Sequence, residues 1–125
     1  MANKSEAIVR NFCAAFARRN IDELLGFFAP DAIYHNMPME PVQGLDAIRS
    51  TFEMFVGPAD KIEFEILNIA SSDDVVLNER IDRFFIAGRE VALPVAGVFI
   101  VRDGKIAAWR DYFDMQAYVR QTGAA

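Results

Sequence analysis

Apolar residues in the first half of the chain recur at the three- and four-residue spacing of amphipathic helices. The spacing predicts a first helix that begins near Ser5 and ends before Asn20, and a shorter helix over residues 21–28. Residues 29–31 contain a proline and end the second helix. A third helix is predicted over residues 47–55. The first half of the chain therefore carries three helices.

After residue 60 the period of apolar positions falls to two, which is typical of strands with one buried face. Ile62, Phe64 and Ile66, for example, alternate with charged residues. The Asp-Gly pair at 103–104 favours a tight hairpin turn, whereas Pro94 lacks an N–H donor and predicts a bulge or an edge. Strands are predicted over 32–37 (before a proline-rich loop, 37–41), 62–66, 75–85, 91–101 and 106–113, and a closing helix over 114–121.

Three helices followed by an antiparallel meander predict an α+β fold, with the helices gathered against one face of a curved sheet. The chain has 125 residues, of which 53% are hydrophobic. This size predicts a single domain over residues 1–125, with a core that needs neither metal nor disulfide. The one cysteine, Cys13, lies in a helical apolar stretch and is interpreted as a buried small hydrophobe.

Charge and motif content exclude several classes of function. The net charge of −5 predicts no general attraction to nucleic acid or to an anionic membrane. The polar N-terminus and the lack of an apolar run of about 20 residues favour a cytoplasmic protein. A single histidine and a single cysteine argue against a conventional zinc site, and no phosphate-binding or dinucleotide fingerprint is present. We therefore expect no cofactor and no metal.

Charged side chains interrupt two of the predicted strands. Residues two apart on a strand point to the same face, so Arg80 shares a face with Asp82, and Asp111 shares one with Trp109 and Phe113. Placing charges among large apolar groups is costly unless they are paired or used. The pattern is typical of an acid–base site. Plainer interpretations remain open: a surface Arg80–Asp82 pair worth about 0–1 kcal/mol, or an Asp111 that merely pairs with an arginine.

The strand 32–37 adds further polar groups. Tyr34 and Asn36 share one face, and a phenol with an amide can hold a water beside a base by several hydrogen bonds. His35 falls on the opposite face and is interpreted as structural or exposed. The chemistry is thus expected to rest on carboxylates, arginine, tyrosine and asparagine, with water as the co-reactant.

Three segments, YHNMP at 34–38, ERID at 79–82 and WRDYFD at 109–114, resemble the limonene-1,2-epoxide hydrolase family in order and spacing over nearly the whole chain. The resemblance implies a cone-shaped, curved mixed β-sheet with three N-terminal helices packed on its concave face. This is the NTF2-like fold of nuclear transport factor 2 and ketosteroid isomerase. It further implies a deep apolar pocket and a homodimer.

The resemblance also implies a role for each polar residue. Asp111 would activate a water that Tyr34 and Asn36 also hold, and Asp82 would protonate the epoxide oxygen. Arg80 would bridge the two aspartates. Opening would take one step, without a covalent intermediate and without a cofactor, on a small hydrophobic epoxide. The predicted pocket wall consists of Met37, Met39, Phe84, Leu93, Val95 and Phe113.

Two alternatives stay open at this point. One is an isomerase or cyclase that abstracts a proton next to a carbonyl, as ketosteroid isomerase does with a neutral aspartic acid and a tyrosine. That chemistry has no need of a cation between its carboxylates, so Arg80 argues against it. The other is a non-catalytic ligand-binding or dimerisation module, because fold alone does not establish function.

Overall fold

The computed structural model describes residues 3–123. Three of the four α-helices in this range begin at polar capping residues, and the third along the chain begins after Gly44. The side chains of Asn3, Asn20 and Asp114 each accept a hydrogen bond from a backbone N–H two or three residues later. The helices are α1 (Lys4–Ala15, continued by a 3₁₀ turn, Phe16–Arg18), α2 (Ile21–Leu25), α3 (Leu45–Phe55) and α4 (Met115–Thr122). The closing helix predicted over 114–121 is confirmed.

The strands form one mixed six-stranded sheet in the order β2-β1-β6-β5-β4-β3. The β1–β6 pair is parallel and every other pair is antiparallel. The strands are β1 (Phe28–Asn36), β2 (Val42–Gln43), β3 (Lys61–Ser72), β4 (Val75–Ile86), β5 (Arg89–Arg102) and β6 (Lys105–Tyr112). The α+β, NTF2-like fold class is confirmed, and no helix within residues 3–123 is long and apolar enough to cross a membrane.

An aromatic cluster joins α1 and α3 to the inner face of the sheet. Phe12 of α1 contacts Phe28, Phe99 and Trp109, whose ring centroids lie 5.2, 6.2 and 5.0 Å away. Trp109 is fully buried. Large aromatic rings bury much apolar surface each, so this cluster fixes the helices over the centre of the sheet. Cys13 is also buried, as expected.

The second helix is shorter than predicted. It ends at Leu25, and Phe28 belongs to β1 rather than to α2. Phe28 pairs with Ile106 of β6, and between this pair and the Ile33–Ala108 pair the register shifts. Pairing with β6 thus makes the segment before Pro30 part of a strand. Pro30 itself lies where the register of this pairing shifts, so its missing N–H is tolerated there.

Pro94 lies at a locally open edge of the sheet. The pairing of β5 with β4 runs through Pro94 without a register shift, so the predicted bulge is wrong. The pairing of β5 with β6 reaches only Ala96, which confirms the predicted edge. The side-chain amide of Gln121 occupies part of this edge, accepting from the Ala92 N–H (2.7 Å) and donating to the Ala92 carbonyl (2.8 Å). Helix α4 is therefore held against β5 by two hydrogen bonds between the Gln121 amide and the backbone of Ala92, which resemble those of a neighbouring strand.

The outer face of the sheet carries exposed apolar side chains, among them Leu77 and Tyr112. Such a face is compatible with the expected homodimer, which stays a prediction.

Candidate active site

Arg80 lies at the centre of a buried charge network. Its Nε and Nη2 donate to the two carboxylate oxygens of Asp82, both at 2.9 Å. Its Nη2 and Nη1 donate to Oδ2 and Oδ1 of Asp111, at 2.7 and 3.2 Å. Nη1 also donates to Oδ1 of Asn78 at 2.9 Å. A guanidinium has five N–H groups, so every one of them is used.

The two aspartates belong to strands that do not touch. Asp82 lies on β4 and Asp111 on β6, with β5 between them. Neighbouring strands are about 4.8 Å apart, so the main chains of β4 and β6 are roughly 10 Å apart. The side chains of Arg80 and Asp111 reach over β5, and Arg80 Nη2 donates to both carboxylates. The Arg80 side chain crosses above Gly97, where a Cβ atom would overlap Arg80 Nη1. A glycine in the middle strand is what allows the bridge.

Burial decides the character of this network. Arg80 is 0% exposed, and Asp82 and Asp111 are each 4% exposed. The interpretation of Arg80 and Asp82 as a surface ion pair is therefore wrong. The guanidinium also lies over the Phe64 ring, 5.1 Å from its centroid, a cation–π contact that is strengthened by the lack of solvent. Within residues 3–123 every buried side-chain nitrogen and oxygen has a hydrogen-bond partner.

The proton affinities of the network follow from burial and charge. Burial, aided by the Asp111 charge, raises the pKa of Asp82 to about 6 against the opposing effect of Arg80. Burial alone would lower the pKa of Arg80, but Asp111 and Asp82 outweigh it and keep that pKa above its ordinary value. Arg80 therefore stays charged, while Asp82 can hold a proton in mildly acidic solution.

Tyr34, Asn36 and Trp109 surround the other side of Asp111. The Tyr34 hydroxyl donates to Asn36 Oδ1 at 3.2 Å, and the Trp109 indole Nε1 donates to Asp111 Oδ1 at 2.6 Å. The Tyr34 and Trp109 rings stack with centroids 4.2 Å apart. Burial and the nearby Asp111 charge raise the pKa of Tyr34 far above its ordinary range, so its phenol remains a hydrogen-bond donor. Strand pairing brings these groups together, since Tyr34 is opposite Trp109 and Asn36 is opposite Asp111.

A cavity of about 330 Å³ opens above these groups. The volume lies near the lower end of the range for small-molecule sites, and the lining is predominantly apolar. Tyr34, Asn36, Asp82 and Asp111 line the cavity, whereas Arg80 does not and lies beneath its floor. The arrangement can place a carbon skeleton against apolar walls and a reacting oxygen between two carboxyl groups.

The structure distributes the predicted wall residues unevenly. Five of them line the cavity, namely Met39, Phe84, Leu93, Val95 and Phe113. Met37 does not: β1 ends at Asn36, and Met37 lies in the turn that follows it. Its inclusion in the wall is corrected. His35 is half-buried, and its Nε2 is 2.8 Å from the Met39 carbonyl, in keeping with a structural role.

Sequence reasoning missed several contributors to the site. Asn78 and Gly97 contact the charge network from beneath. Gly97 could have been found, because a lone glycine within a strand indicates that another group approaches the backbone closely. Helices α3 and α4 also supply wall residues, because the sequence does not show how a helix packs over a sheet. These are Thr51, Met54, Phe55, Met115, Tyr118 and Thr122.

A metal centre finds no support in this part of the molecule. Among residues 3–123, no three His, Cys, Asp or Glu side chains converge in a way that could hold a metal ion.

Comparison with known proteins agrees with the geometry. The family model of the limonene-1,2-epoxide hydrolase catalytic domain matches residues 3–123. The epoxide hydrolase EphG of Mycobacterium tuberculosis is 32% identical over 107 residues, which are 86% of this chain and 71% of that protein. The structure of a limonene-epoxide-hydrolase-like epoxide hydrolase from M. tuberculosis superposes with a TM-score of 0.82 at 28% identity, covering 97% of this chain and 93% of that one. An NTF2-like protein from Burkholderia pseudomallei is similar in fold alone, with a TM-score of 0.86 at 19% identity, covering 98% of this chain and all of that one.

Proposed function

This chain belongs to the limonene-1,2-epoxide hydrolase family, and we propose that it adds water to a small hydrophobic epoxide in one step, giving a vicinal diol without a cofactor. Epoxide hydrolase activity at the level of the family follows from the homology. The observation that carries the finer proposal is a single guanidinium between two carboxylates at the floor of an apolar cavity.

Asp111 is the base of the proposed reaction. Three N–H groups already donate to its carboxylate, two from Arg80 and one from Trp109. A carboxylate has about four acceptor positions, so one is left to take a proton from water. Tyr34 and Asn36 line the cavity beside Asp111 and would hold the same water.

Asp82 is the acid. Opening an epoxide requires a nucleophile at carbon and a proton at oxygen, and two carboxyl groups can divide these roles if only one is ionised. The raised pKa of Asp82, about 6, favours its protonated form relative to an ordinary aspartate. During ring opening the C–O bond breaks as water attacks, the Asp82 proton goes to the epoxide oxygen, and the water proton goes to Asp111. Asp111 then loses its proton to solvent, and Asp82 takes one from solvent, before the next turnover.

The experiment that tests the mechanism is a single turnover in ¹⁸O-labelled water with enzyme in excess. Direct attack by water predicts that the first diol carries one ¹⁸O atom. Attack by Asp111 itself would form an ester, and the first diol would then carry an unlabelled oxygen from the carboxylate. Uncatalysed hydrolysis is measured in parallel and subtracted.

The same assay separates the other functions. An isomerase or cyclase would form no diol but would exchange hydrogen next to a carbonyl of a ketone substrate. A non-catalytic binding module would raise its Tm with epoxides, diols or amides that fit the cavity and would show no turnover with any of them.

The pH dependence tests the role of Asp82. We expect kcat/KM for a neutral epoxide to fall as the pH rises above about 6, approaching tenfold per unit, because deprotonation of Asp82 removes the proton donor. The measurement is kcat/KM from pH 5 to 9, with the spontaneous hydrolysis rate subtracted. A kcat/KM that stays constant or rises across this range would contradict the acid role.

A further inference from the structure

We propose that Asn78 is a positioning residue of this site: its side-chain amide fixes the orientation of the Arg80 guanidinium, and thereby aims Arg80 at both aspartates. This inference rests on the proposed epoxide hydrolase function, but it concerns a residue that does not line the cavity. Asn78 acts through Arg80 and not on the substrate.

The hydrogen-bond count supports this role. Four of the five Arg80 N–H groups go to the aspartates, and Asn78 Oδ1 accepts the fifth at 2.9 Å. This fifth N–H is on Nη1, which also makes the longest bond to Asp111, at 3.2 Å. Asn78 therefore fixes the end of the guanidinium that Asp111 holds least tightly.

The Asn78 amide is itself held in one orientation. Asn78 is 5% exposed, and its Nδ2 donates to Cys13 Sγ at 3.7 Å, within the range for a bond to sulfur. A rotated amide would point its NH₂ group at the Arg80 N–H groups, donor against donor. The amide oxygen is thus fixed toward Arg80 before substrate enters.

The position of Asn78 in the sheet explains its reach. In the strand register Asn78 is opposite Gly97, and Gly97 is opposite Asp111. A Cβ atom at Gly97 would lie 2.8 Å from Asn78 Oδ1 and 2.9 Å from Asp111 Oδ1. Asn78 and Asp111 therefore flank the gap through which Arg80 passes, and together they hold Nη1 from both sides.

The neutrality of the amide is part of the proposal. The titratable groups packed around the guanidinium are Cys13 on α1, Tyr34 on β1, Asp82 on β4 and Asp111 on β6. Burial raises the pKa of Cys13 to about 12 and that of Tyr34 higher, so both stay neutral. Arg80 therefore divides its charge between the two aspartates alone. A third carboxylate would compete for that charge, whereas an apolar side chain would leave one buried N–H without a partner.

The experiment compares Asn78→Leu and Asn78→Asp with the wild type, and uses Asn68→Leu, the same change at an exposed asparagine of β3, as the matched control. Leucine keeps the size of asparagine but has no acceptor. We expect Asn78→Leu to lower kcat by about 10–100-fold with KM changed less than threefold, since Asn78 does not touch the cavity. Asn78→Asp adds a negative charge that competes for Arg80, which raises the pKa of Asp82 further. It should move the descending limb of the kcat/KM profile at least one pH unit higher. Asn68→Leu should stay within about threefold of wild-type kcat.

Two results would overturn the proposal. One is an Asn78→Leu variant, folded by circular dichroism, that keeps kcat within threefold of the wild type. The other is an Asn78→Asp variant whose pH profile coincides with that of the wild type. Carboxylate titration by infrared spectroscopy, with Asp82→Asn to assign the Asp82 band, provides a readout without turnover. If the wild type hydrolyses no epoxide, the proposed function fails, whereas a shifted Asp82 titration in Asn78→Asp would still support the role of Asn78.

Discussion

Asp111→Asn is expected to lower kcat/KM for an epoxide by about 10²–10⁴-fold, the usual contribution of a positioned base. The amide has nearly the shape of the carboxylate but cannot take a proton from water. It also presents an NH₂ group to a site where Arg80 and Trp109 both donate. The measurement is kcat/KM at the optimum pH, on protein whose circular dichroism spectrum matches that of the wild type.

The matched control for this prediction is Asp103→Asn. Asp103 is exposed in the turn between β5 and β6 and has a φ of 51°, a conformation that asparagine tolerates. The same chemical change there should leave kcat/KM within about twofold of the wild type. Near-full activity of Asp111→Asn, with Asp103→Asn also active, would rule out Asp111 as the base.

Gly97→Ala is expected to disable the site through a single added methyl group. Its Cβ atom would overlap Arg80 Nη1 and crowd the oxygens of Asn78 and Asp111, which are fixed by their own bonds. Overpacking of this kind costs about 1–3 kcal/mol, or a fall in Tm of about 5–10 °C for a chain of this size. Displacement of Arg80 should in addition lower kcat/KM by about 100-fold or more, since small misplacements at a reacting centre have effects of that order.

The control for Gly97→Ala is Ala96→Ser on the same strand. Ala96 is exposed on the outer face, so one added atom there should change neither Tm by more than about 2 °C nor kcat/KM by more than about twofold. If Gly97→Ala retained wild-type kcat/KM and Tm, Arg80 would have another way across β5, and the geometry described above would be wrong.

Much of the fold could be predicted from periodicity and turn signals. Strands β4, β5 and β6 lie close to the predicted ranges, because each is bounded by a turn with clear sequence signals. The start of β1 could not be predicted, since Phe28 fits a helical stripe and only its pairing with Ile106 places it in the sheet. The two-residue strand β2 has too little pattern to be recognised.

The site was predictable to the extent that it depends on alternation along a strand. Alternation predicted that Arg80 shares a face with Asp82 and that Tyr34 shares a face with Asn36, and the side chains of each pair are hydrogen-bonded to each other. Alternation does not state which strands are neighbours. The approach of Arg80 to Asp111 requires the sheet order β6-β5-β4 and a glycine between them. That part of the site is a property of the assembled sheet.

The cavity wall and the charge network share strands β4 and β5, but the wall also includes a helix that contributes nothing to the network. Leu93 and Val95 lie toward the β4–β5 hairpin end of β5, and further wall residues come from α4, which Gln121 fastens to Ala92. Gly97 and Asn78 lie further along the sheet, whereas Arg80 and Asp82 are opposite Val95 and Leu93 in the strand register. Because α4 contributes to the wall but not to the charge network, residue exchanges on that helix can change the shape of the cavity while the bridge between the two aspartates stays intact.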